Sequence, residues 1–273
     1  MNGPDFLQQH TDHLKSRMGA CFPGERAVFR GHDLHAELNG MDWLELYVFG
    51  ITGRRFPPQQ LRLLHAMWVY TSYPDARIWN NRVAALAGSS RSTPTLALAA
   101  SLAVSEATIY GGYPSISAFD FFMRIRKKVE QGEQLEKIIH VERRTRRIYG
   151  YGRPITSADE RLPWLLERAH ELRLDQGPHL RLAFDVEQVL LNDNQLLRMN
   201  YAGLVAALSL DLGFSPKEFH LFRFPITLAG MAPCFLESSQ NTEGTLFPLS
   251  CAHILYEGHP KRSWKAPGQS ENL

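Results

Sequence analysis

The feature that most constrains the fold of this chain is the helical spacing of its apolar residues. Leu61, Leu63, Leu64 and Met67 recur at helical intervals directly after Pro57-Pro58, a pair that favours a helix start. Alternating apolar and polar residues, which indicate strands, are nearly absent from the chain. The sequence therefore predicts an all-α fold.

Several later segments also have helical patterns. Residues 94–107 are rich in alanine and leucine with few charges, as expected of a helix that is buried on most sides. Further helices are predicted within 115–144, 160–172 and 200–213, the last with small residues that permit close helix contact. One short β-like segment, 24–34, is predicted because Val28 and Phe29 are strand formers between two glycines.

The charge balance argues against nucleic acid as the main partner. The 273 residues include 30 basic and 28 acidic side chains, for a net charge of +2, whereas duplex binding usually requires a basic excess on one face. No apolar run reaches roughly 18 residues, so no membrane span is expected. The chain is 44% hydrophobic, which is enough for a substantial core.

The cysteines and histidines do not form a metal-ligand pattern. Cys21, Cys234 and Cys251 are widely spaced, and they read as three reduced thiols of a cytoplasmic protein. Two His-x-x-His pairs begin at His10 and His32, and each lacks a third ligand nearby in the sequence. No metal site is predicted.

A loop at residues 146–161, RRIYGYGRPITSADER, has the form of a backbone segment that approaches a ligand. Gly150 and Gly152 permit a close approach because they have no Cβ atom. Arg153 follows them, and its planar guanidinium can bind a carboxylate or a phosphate through two parallel hydrogen bonds. The alternative is that Arg153 is an ordinary surface arginine.

Six segments in order carry a resemblance to a known family. They are PGERAVFRGHDLHAEL, VFGITGRRFPPQQLRLL, DARIWNNRVAALAGSS, ATIYGGYP, RIYGYGRPITSADER and MNYAGLVAALSLDLGFSPKEFHLFRFPITLAGM. Together they resemble the citrate synthase superfamily over about residues 16 to 258, and the length resembles the citryl-CoA lyase module of ATP-citrate lyase. No single segment is specific, but their shared order and spacing favour the family.

The resemblance implies an architecture and a class of ligand. It implies a large helical domain from residues 1–114 and 206–273, a small domain from 115–205, and a homodimer. The implied ligands are a coenzyme A thioester and a small anionic carboxylate partner, with no metal. The implied chemistry makes or breaks a carbon–carbon bond next to the thioester, which needs a general base and hydrogen-bond donors to the carbonyl oxygens.

The groups that the family uses for this chemistry are mostly replaced here. By the resemblance, the aspartate base falls on Ala202, the thioester-facing histidine on Tyr110 and the loop histidine on Arg153. A further histidine falls near Ser72, and an arginine falls on Thr227. Because Ala202 cannot transfer a proton, ordinary citrate synthase or lyase activity is not expected.

Other residues retain groups that can bind or polarise a substrate. Arg161, two residues after Asp159, matches an arginine of the family, and Tyr110 keeps a hydroxyl donor that can polarise a carbonyl, although it can equally be a packed aromatic. The predicted substrate-binding residues are Arg153, Arg161, Ser72, Gly150 and Gly152; the candidates for catalysis are Tyr110, Asp75 and His253; Arg146 and Arg147 are the candidates for CoA phosphates. For these last two, a solvated helix end is the alternative.

Two functions remain open on the sequence alone. The first is a divergent enzyme that acts on an acyl-CoA or a related thioester, with Asp75 or His253 transferring the proton. The replacement of lost groups by Tyr110 and Arg153, which are polar, favours it. The second is a catalytically inactive member that binds ligands as a regulatory or scaffold subunit, and Ala202 favours that reading.

Overall fold

The computed structural model is predominantly helical, which confirms the predicted all-α class. It describes residues 3–12, 15–109, 111–153, 158–193, 197–246 and 251–260. The helices are α1 (Pro4–His10), α2 (Trp43–Thr52), α3 (Pro58–Val69), α4 (Trp79–Ser89), α5 (Pro94–Val104), α6 (Gly112–Glu130), α7 (Leu135–Thr145), α8 (Leu162–Glu171), α9 (Pro178–Asn192), α10 (Tyr201–Asp211), α11 (Pro216–Arg223) and α12 (Leu228–Gln240). Short 3₁₀ helices cover Phe224–Thr227 and Cys251–His253.

A small antiparallel sheet lies near the N-terminus. Its strands are β1 (Gly19–Phe22), β2 (Arg26–Phe29) and β3 (His32–Asp33), in the order β1-β2-β3. The β-like segment predicted at 24–34 is therefore present, as β2 and β3. Strand β1 was not predicted because its four residues show no alternation and are all exposed.

Several helices begin at the residues that the sequence marks as starts. Pro58 begins α3, as the proline pair predicts, and prolines also open α5, α8, α9 and α11. Ser215 caps α11, and Glu218 completes a capping box with it. These local signals fix the helix ends independently of the packing between helices.

The core is one hydrophobic cluster that joins α6 to α10 and α11. Phe119 of α6 stacks on Phe219 of α11 with ring centroids 4.5 Å apart, and both side chains are fully buried. Phe122 and Phe222 are buried in the same cluster. Burying one such side chain contributes about 1.5–3 kcal/mol, so these aromatics fix α6 against α11.

Helix α10 is the most buried helix and packs against α6 and α9. Residues 203–207 are all buried inside the chain, as their small side chains allow. The predicted domain boundary between residues 205 and 206 falls inside this helix, and the division into two domains stays a prediction. The first turn of α10 begins at Tyr201, which is buried, so packing against the core holds this turn in place.

Helix α5 differs from its prediction. Its alanine- and leucine-rich sequence predicted burial on most sides, but only Ala97 and Ser101 are buried in this helix. Leu96 is 64% exposed. The reason is that the main packing partners of α5 among the described residues are α4 and α12, which leave much of its other face exposed.

One continuous helical stretch of the described chain, Pro216–Gln240, is long and apolar enough to cross a bilayer by length and composition alone. This stretch was not recognised from the sequence as a run of about 18 apolar residues, because charged residues interrupt it. Its Phe219, Phe222, Met231 and Cys234 are buried in the fold. A core helix meets the same criterion, and these buried side chains fit a core helix.

Candidate functional site

A cleft of about 670 Å³ lies between the glycine loop and the first turn of α10. We call it the cleft throughout. Its lining comprises residues 146–153 with Ile109, Gly111, Pro114, Arg143, Asp159, Arg161, Leu197, Asn200, Tyr201 and Ala202. The predicted residues Arg146, Arg147, Gly150, Gly152, Arg153 and Arg161 are therefore brought together around one space.

The glycine loop is held against α10 by backbone hydrogen bonds. The Asn200 backbone N–H donates to the Gly150 carbonyl at 2.9 Å, and the Gly152 N–H donates to the Arg198 carbonyl at 2.7 Å. The Asn200 side chain caps α10 by accepting from the Gly203 N–H at 3.1 Å, and it donates to the Gly152 carbonyl at 2.8 Å. The loop and the helix start therefore form one hydrogen-bonded unit.

Gly150 and Gly203 make this contact possible. Gly150 has a φ of 92°, a left-handed conformation that favours glycine. A Cβ added to Gly203 would meet the Gly150 carbonyl oxygen and would lie 3.0 Å from its Cα. Because these are backbone atoms, no side chain can move aside to make room.

We expect Gly203→Ala to destabilise the protein by about 1–2 kcal/mol. Alanine favours a helix over glycine by about 1 kcal/mol, but crowding against backbone atoms, which cannot rotate away, costs about 2–3 kcal/mol, the upper part of the usual range. Denaturant unfolding measures the difference, with Gly40→Ala as the control because a Cβ there meets no atom within 4 Å. Equal stability of the Gly203→Ala variant and the wild type would contradict the close contact.

Asp159 is the buried carboxylate of the site. Its side chain is fully buried and accepts from the Arg161 Nε and Nη2 atoms, each at 2.8 Å, and from the Tyr201 backbone N–H at 2.9 Å. Burial opposes its ionisation, but the bonds from Arg161 and Tyr201 outweigh burial and hold the pKa of Asp159 below its ordinary value. Asp159 is thus an anion that orients Arg161 and the start of α10.

Arg161 is enclosed by aromatic rings as well as by its carboxylate. Its guanidinium carbon lies 4.5 Å from the ring centre of Tyr201 and 5.8 Å from that of Tyr73. Burial opposes the charge, but the contact with Asp159 keeps the pKa of Arg161 above its ordinary value. Arg161 is therefore a rigid cation whose charge is already balanced by Asp159.

Arg153 also has a carboxylate partner. Its Nη1 atom contacts the Glu160 Oε2 atom and donates to the Ala158 carbonyl at 3.1 Å, while Asp159 lies 3.8 Å away. Glu160 was not among the residues predicted from the sequence. The available signal was the acidic pair Asp159-Glu160 near the end of the loop.

The arginines near the end of α7 divide into paired and unpaired ones. Arg143 donates to Asp193 at 2.6 Å. Arg146 and Arg147 are exposed, and neither has an ion-pair partner among the residues that the structure describes. The guanidinium of Arg147 lies 5.9 Å from the ring centre of Tyr149. The uncompensated positive charge of the cleft is therefore at Arg146 and Arg147.

Three predicted residues do not line the cleft. Asp75 accepts from Arg77 at 2.7 Å, and the resulting hydrogen bonds hold the pKa of Asp75 below its ordinary value. Ser72, three residues beyond the end of α3, donates to the Trp68 carbonyl at 2.8 Å. His253 is exposed in a short 3₁₀ helix.

Tyr110 lies outside the described residues, although its neighbours Ile109 and Gly111 both line the cleft. Ala202, the position that the resemblance assigns to the base, also lines it. Among the described lining residues, Asp159 is the only carboxylate, and its hydrogen bonds to Arg161 and Tyr201 leave it unsuited to accept a further proton. This part of the chain can bind anions and offers no free base.

No group of three metal-ligating side chains occurs within the ranges covered by the structure. The residues that line the cleft include five arginines, whose guanidiniums are donors suited to anions.

Solved structures of three kinds share this fold. Citryl-CoA lyase from Hydrogenobacter thermophilus is 19% identical, with a TM-score of 0.81 over 93% of this chain and 98% of that one. ATP citrate lyase from Methanothrix soehngenii, in complex with citrate and coenzyme A, is 17% identical, with a TM-score of 0.71 over 96% of this chain and 45% of that one.

The third is citrate synthase from Thermoplasma acidophilum, in a ternary complex with carboxymethyl coenzyme A and oxaloacetate. It is 13% identical, with a TM-score of 0.61 over 83% of this chain and 59% of that one. No protein-family model and no curated protein sequence matches the chain. The predicted citrate synthase-like fold is confirmed by the structures.

Proposed function

We propose that this protein binds a coenzyme A thioester in the cleft. The observation that carries the proposal is the pair of uncompensated cations, Arg146 and Arg147, at the end of a glycine loop that lines a cleft of about 670 Å³. Phosphates bind well where guanidiniums and free backbone N–H groups converge. The fold shared with proteins whose structures hold coenzyme A or its derivatives supports the same ligand class.

The second ligand in this proposal is a small carboxylate that binds at Arg153 and Arg161. Both guanidiniums line the cleft. In the sequence, both arginines follow Gly150 and Gly152, whereas Arg146 precedes them. Gly150 and Gly152 have φ angles of 92° and 79°, left-handed conformations that favour glycine and set the course of the loop that leads to Arg153. The carboxylate ligands of the two fold relatives, citrate and oxaloacetate, support this class of partner.

We propose that binding, not ordinary carbon–carbon chemistry, is the main activity. Ala202 supplies no base, and neither Asp75 nor His253 lines the cleft. This arrangement favours an inactive binding or regulatory subunit. The divergent enzyme is the second candidate, and the observation in its favour is that both chain neighbours of Tyr110 line the cleft, since a tyrosine hydroxyl can polarise a carbonyl.

Replacing both unpaired arginines tests the proposal. We expect Arg146→Ala/Arg147→Ala to weaken CoA binding about 10- to 100-fold, because each charge-assisted contact contributes about 1.5–3 kcal/mol and exposure places these at the low end. Isothermal titration calorimetry with CoA measures the change, and the loss of affinity decreases at high salt concentration.

The matched control is Lys137→Ala/Arg144→Ala, which removes two charges from exposed positions of α7 that do not line the cleft. CoA affinity of this control within about twofold of wild type separates a local contact from the general effect of net charge. Unchanged affinity in Arg146→Ala/Arg147→Ala would reject these arginines, and a wild-type protein that binds no CoA would reject the function.

We also propose that the protein is a homodimer formed through the uncovered face of α5. Leu96 and Val104 on α5 and Leu236 on α12 are exposed apolar side chains on neighbouring helices. The helices around residues 83–107 and the small residues at 202–207 also suggested an interface, and of the latter residues 203–207 are buried within the chain. Sedimentation velocity at micromolar concentration is expected to show a dimer, and a stable monomer would contradict it.

A further inference from the structure

Four charged side chains at one end of the cleft form a neutral group. They are Arg153, Asp159, Glu160 and Arg161, which we call the Arg153 cluster. Arg161 is paired with Asp159 at 2.8 Å, and Arg153 contacts Glu160. Two positive and two negative charges cancel, so this end of the cleft attracts a ligand carboxylate less strongly than its two arginines suggest.

The two carboxylates of the cluster differ in exposure. The side chain of Asp159 is 0% exposed, whereas that of Glu160 is 58% exposed. Asp159 also accepts a hydrogen bond from the Tyr201 backbone N–H, so it holds the start of α10 in place. Glu160 has no such backbone bond to α10, so it is the carboxylate that a ligand can replace.

Glu160 is held by a residue from a different part of the chain. Its Oε1 atom accepts from the Tyr73 hydroxyl at 3.3 Å, and Tyr73 lies between α3 and α4, whereas Arg153 and Glu160 lie on the loop before α8. The contact with Arg153 keeps the pKa of Glu160 below its ordinary value. The glutamate is thus charged at neutral pH and fixed from two sides.

We propose that Glu160 is a specificity-determining residue that acts as an internal carboxylate on Arg153. Because it neutralises this arginine, the cleft accepts a ligand with one carboxylate or none at this end and disfavours di- and tricarboxylates. This inference rests on the proposed binding function and narrows the class of its second ligand. The substrate class differs in this respect from the citrate and oxaloacetate held by the fold relatives.

The test replaces Glu160 by its uncharged isostere. We expect Glu160→Gln to bind succinate and citrate about tenfold tighter than wild type, because Arg153, released from Glu160, can make a charge-assisted contact with a further carboxylate of the ligand. The affinities for propionate and CoA are expected to change by less than about twofold, because neither ligand requires Arg153 to separate from Glu160. Calorimetric titrations with these four probes give all the values.

The control is Glu130→Gln. Glu130 forms an ion pair with Arg126 on α6, away from the cleft, and its side chain is 58% exposed, the same as that of Glu160. We expect this variant to bind every probe as wild type does. Tyr73→Phe, which removes the hydroxyl that holds Glu160, is expected to give a smaller gain for citrate in the same direction.

The outcomes separate this inference from the proposed function. A gain in Glu160→Gln that disappears in Arg153→Ala/Glu160→Gln supports the role of Glu160. An absent gain, an equal gain in Glu130→Gln, or a gain that persists without Arg153 overturns it. Binding of CoA by wild type in the same series tests the proposed function, so an absent citrate gain with intact CoA binding rejects only the specificity role.

Discussion

We expect Asp159→Asn to lower the free energy of unfolding by about 3–5 kcal/mol, the cost of leaving a buried charge without its partner. The Asp159 side chain is fully buried and accepts from two of the three nitrogens of the Arg161 guanidinium, Nε and Nη2, each at 2.8 Å. It also accepts from the Tyr201 backbone N–H at the start of α10. An asparagine keeps the shape but loses the negative charge, and it places an N–H₂ donor opposite other donors.

The chain provides a close control for this variant. Asp75 bonds Arg77 with the same two-residue spacing, through the backbone N–H and two guanidinium nitrogens, but Asp75 is 36% and Arg77 is 91% exposed at the side chain. We expect Asp75→Asn to cost much less than Asp159→Asn, because solvent screens the exposed ion pair. Urea unfolding of both variants measures the contrast, and equal losses would show that burial of Asp159 does not matter.

The same carboxylate gives a direction for pH dependence. The folded protein holds the pKa of Asp159 below its ordinary value, so the unfolded chain binds a proton more readily than the folded one. The stability from Asp159 is therefore fully present above the unfolded pKa of about 3.9. It is lost as the pH falls further, through the lower folded pKa. The difference between wild type and Asp159→Asn accordingly shrinks in acid.

We expect no citrate formation from acetyl-CoA and oxaloacetate, and no cleavage of citryl-CoA. A positioned general base contributes about 10²–10⁴-fold in rate, and Ala202 supplies none. Asp75 is bound to Arg77, and His253 is exposed and outside the cleft lining. The expected turnover number is therefore at least about 10²-fold below the usual range of about 1–10³ per second.

The assay for this expectation follows the thiol of released CoA for the synthesis and oxaloacetate for the cleavage. A protein-free sample and a sample with heat-unfolded protein set the background rates. Turnover within the usual range in either direction would contradict the expectation. It would require a base that comes from outside the described lining of the cleft, and it would favour the divergent enzyme over the binding subunit.

Local sequence signals account for much of the fold. The proline pair at 57–58 predicted the start of α3, and the glycine loop at 150–152 was expected to approach a ligand and lies at the cleft. The class and the superfamily likeness also followed from the sequence. The helix start and the glycine loop are each contained within one short segment, and the likeness comes from the order of six segments along the chain, so none of these predictions needs a long-range contact.

The other features of the fold and the site depend on contacts that the spacing of residues does not show. The sequence suggested that Arg153 and Arg161 present two free charges, but Glu160 and Asp159 compensate them in the fold. The exposed face of α5 could not be predicted from composition, because a helix rich in alanine and leucine is buried only where neighbouring helices cover it. Such partners are set by tertiary packing and are not visible in the spacing of residues.

The most direct test of the central claim is the proton spectrum of acetyl-CoA in D₂O with a near-equal concentration of wild-type protein. The claim is that the cleft binds a CoA thioester but has no base at position 202. We expect the acetyl methyl signal to broaden on addition of protein, because part of the ligand is bound. We expect its integrated intensity to decrease no faster than in a protein-free sample. A methyl signal that stays sharp would contradict the binding, and a loss of intensity through deuterium exchange well above the protein-free rate would contradict the missing base.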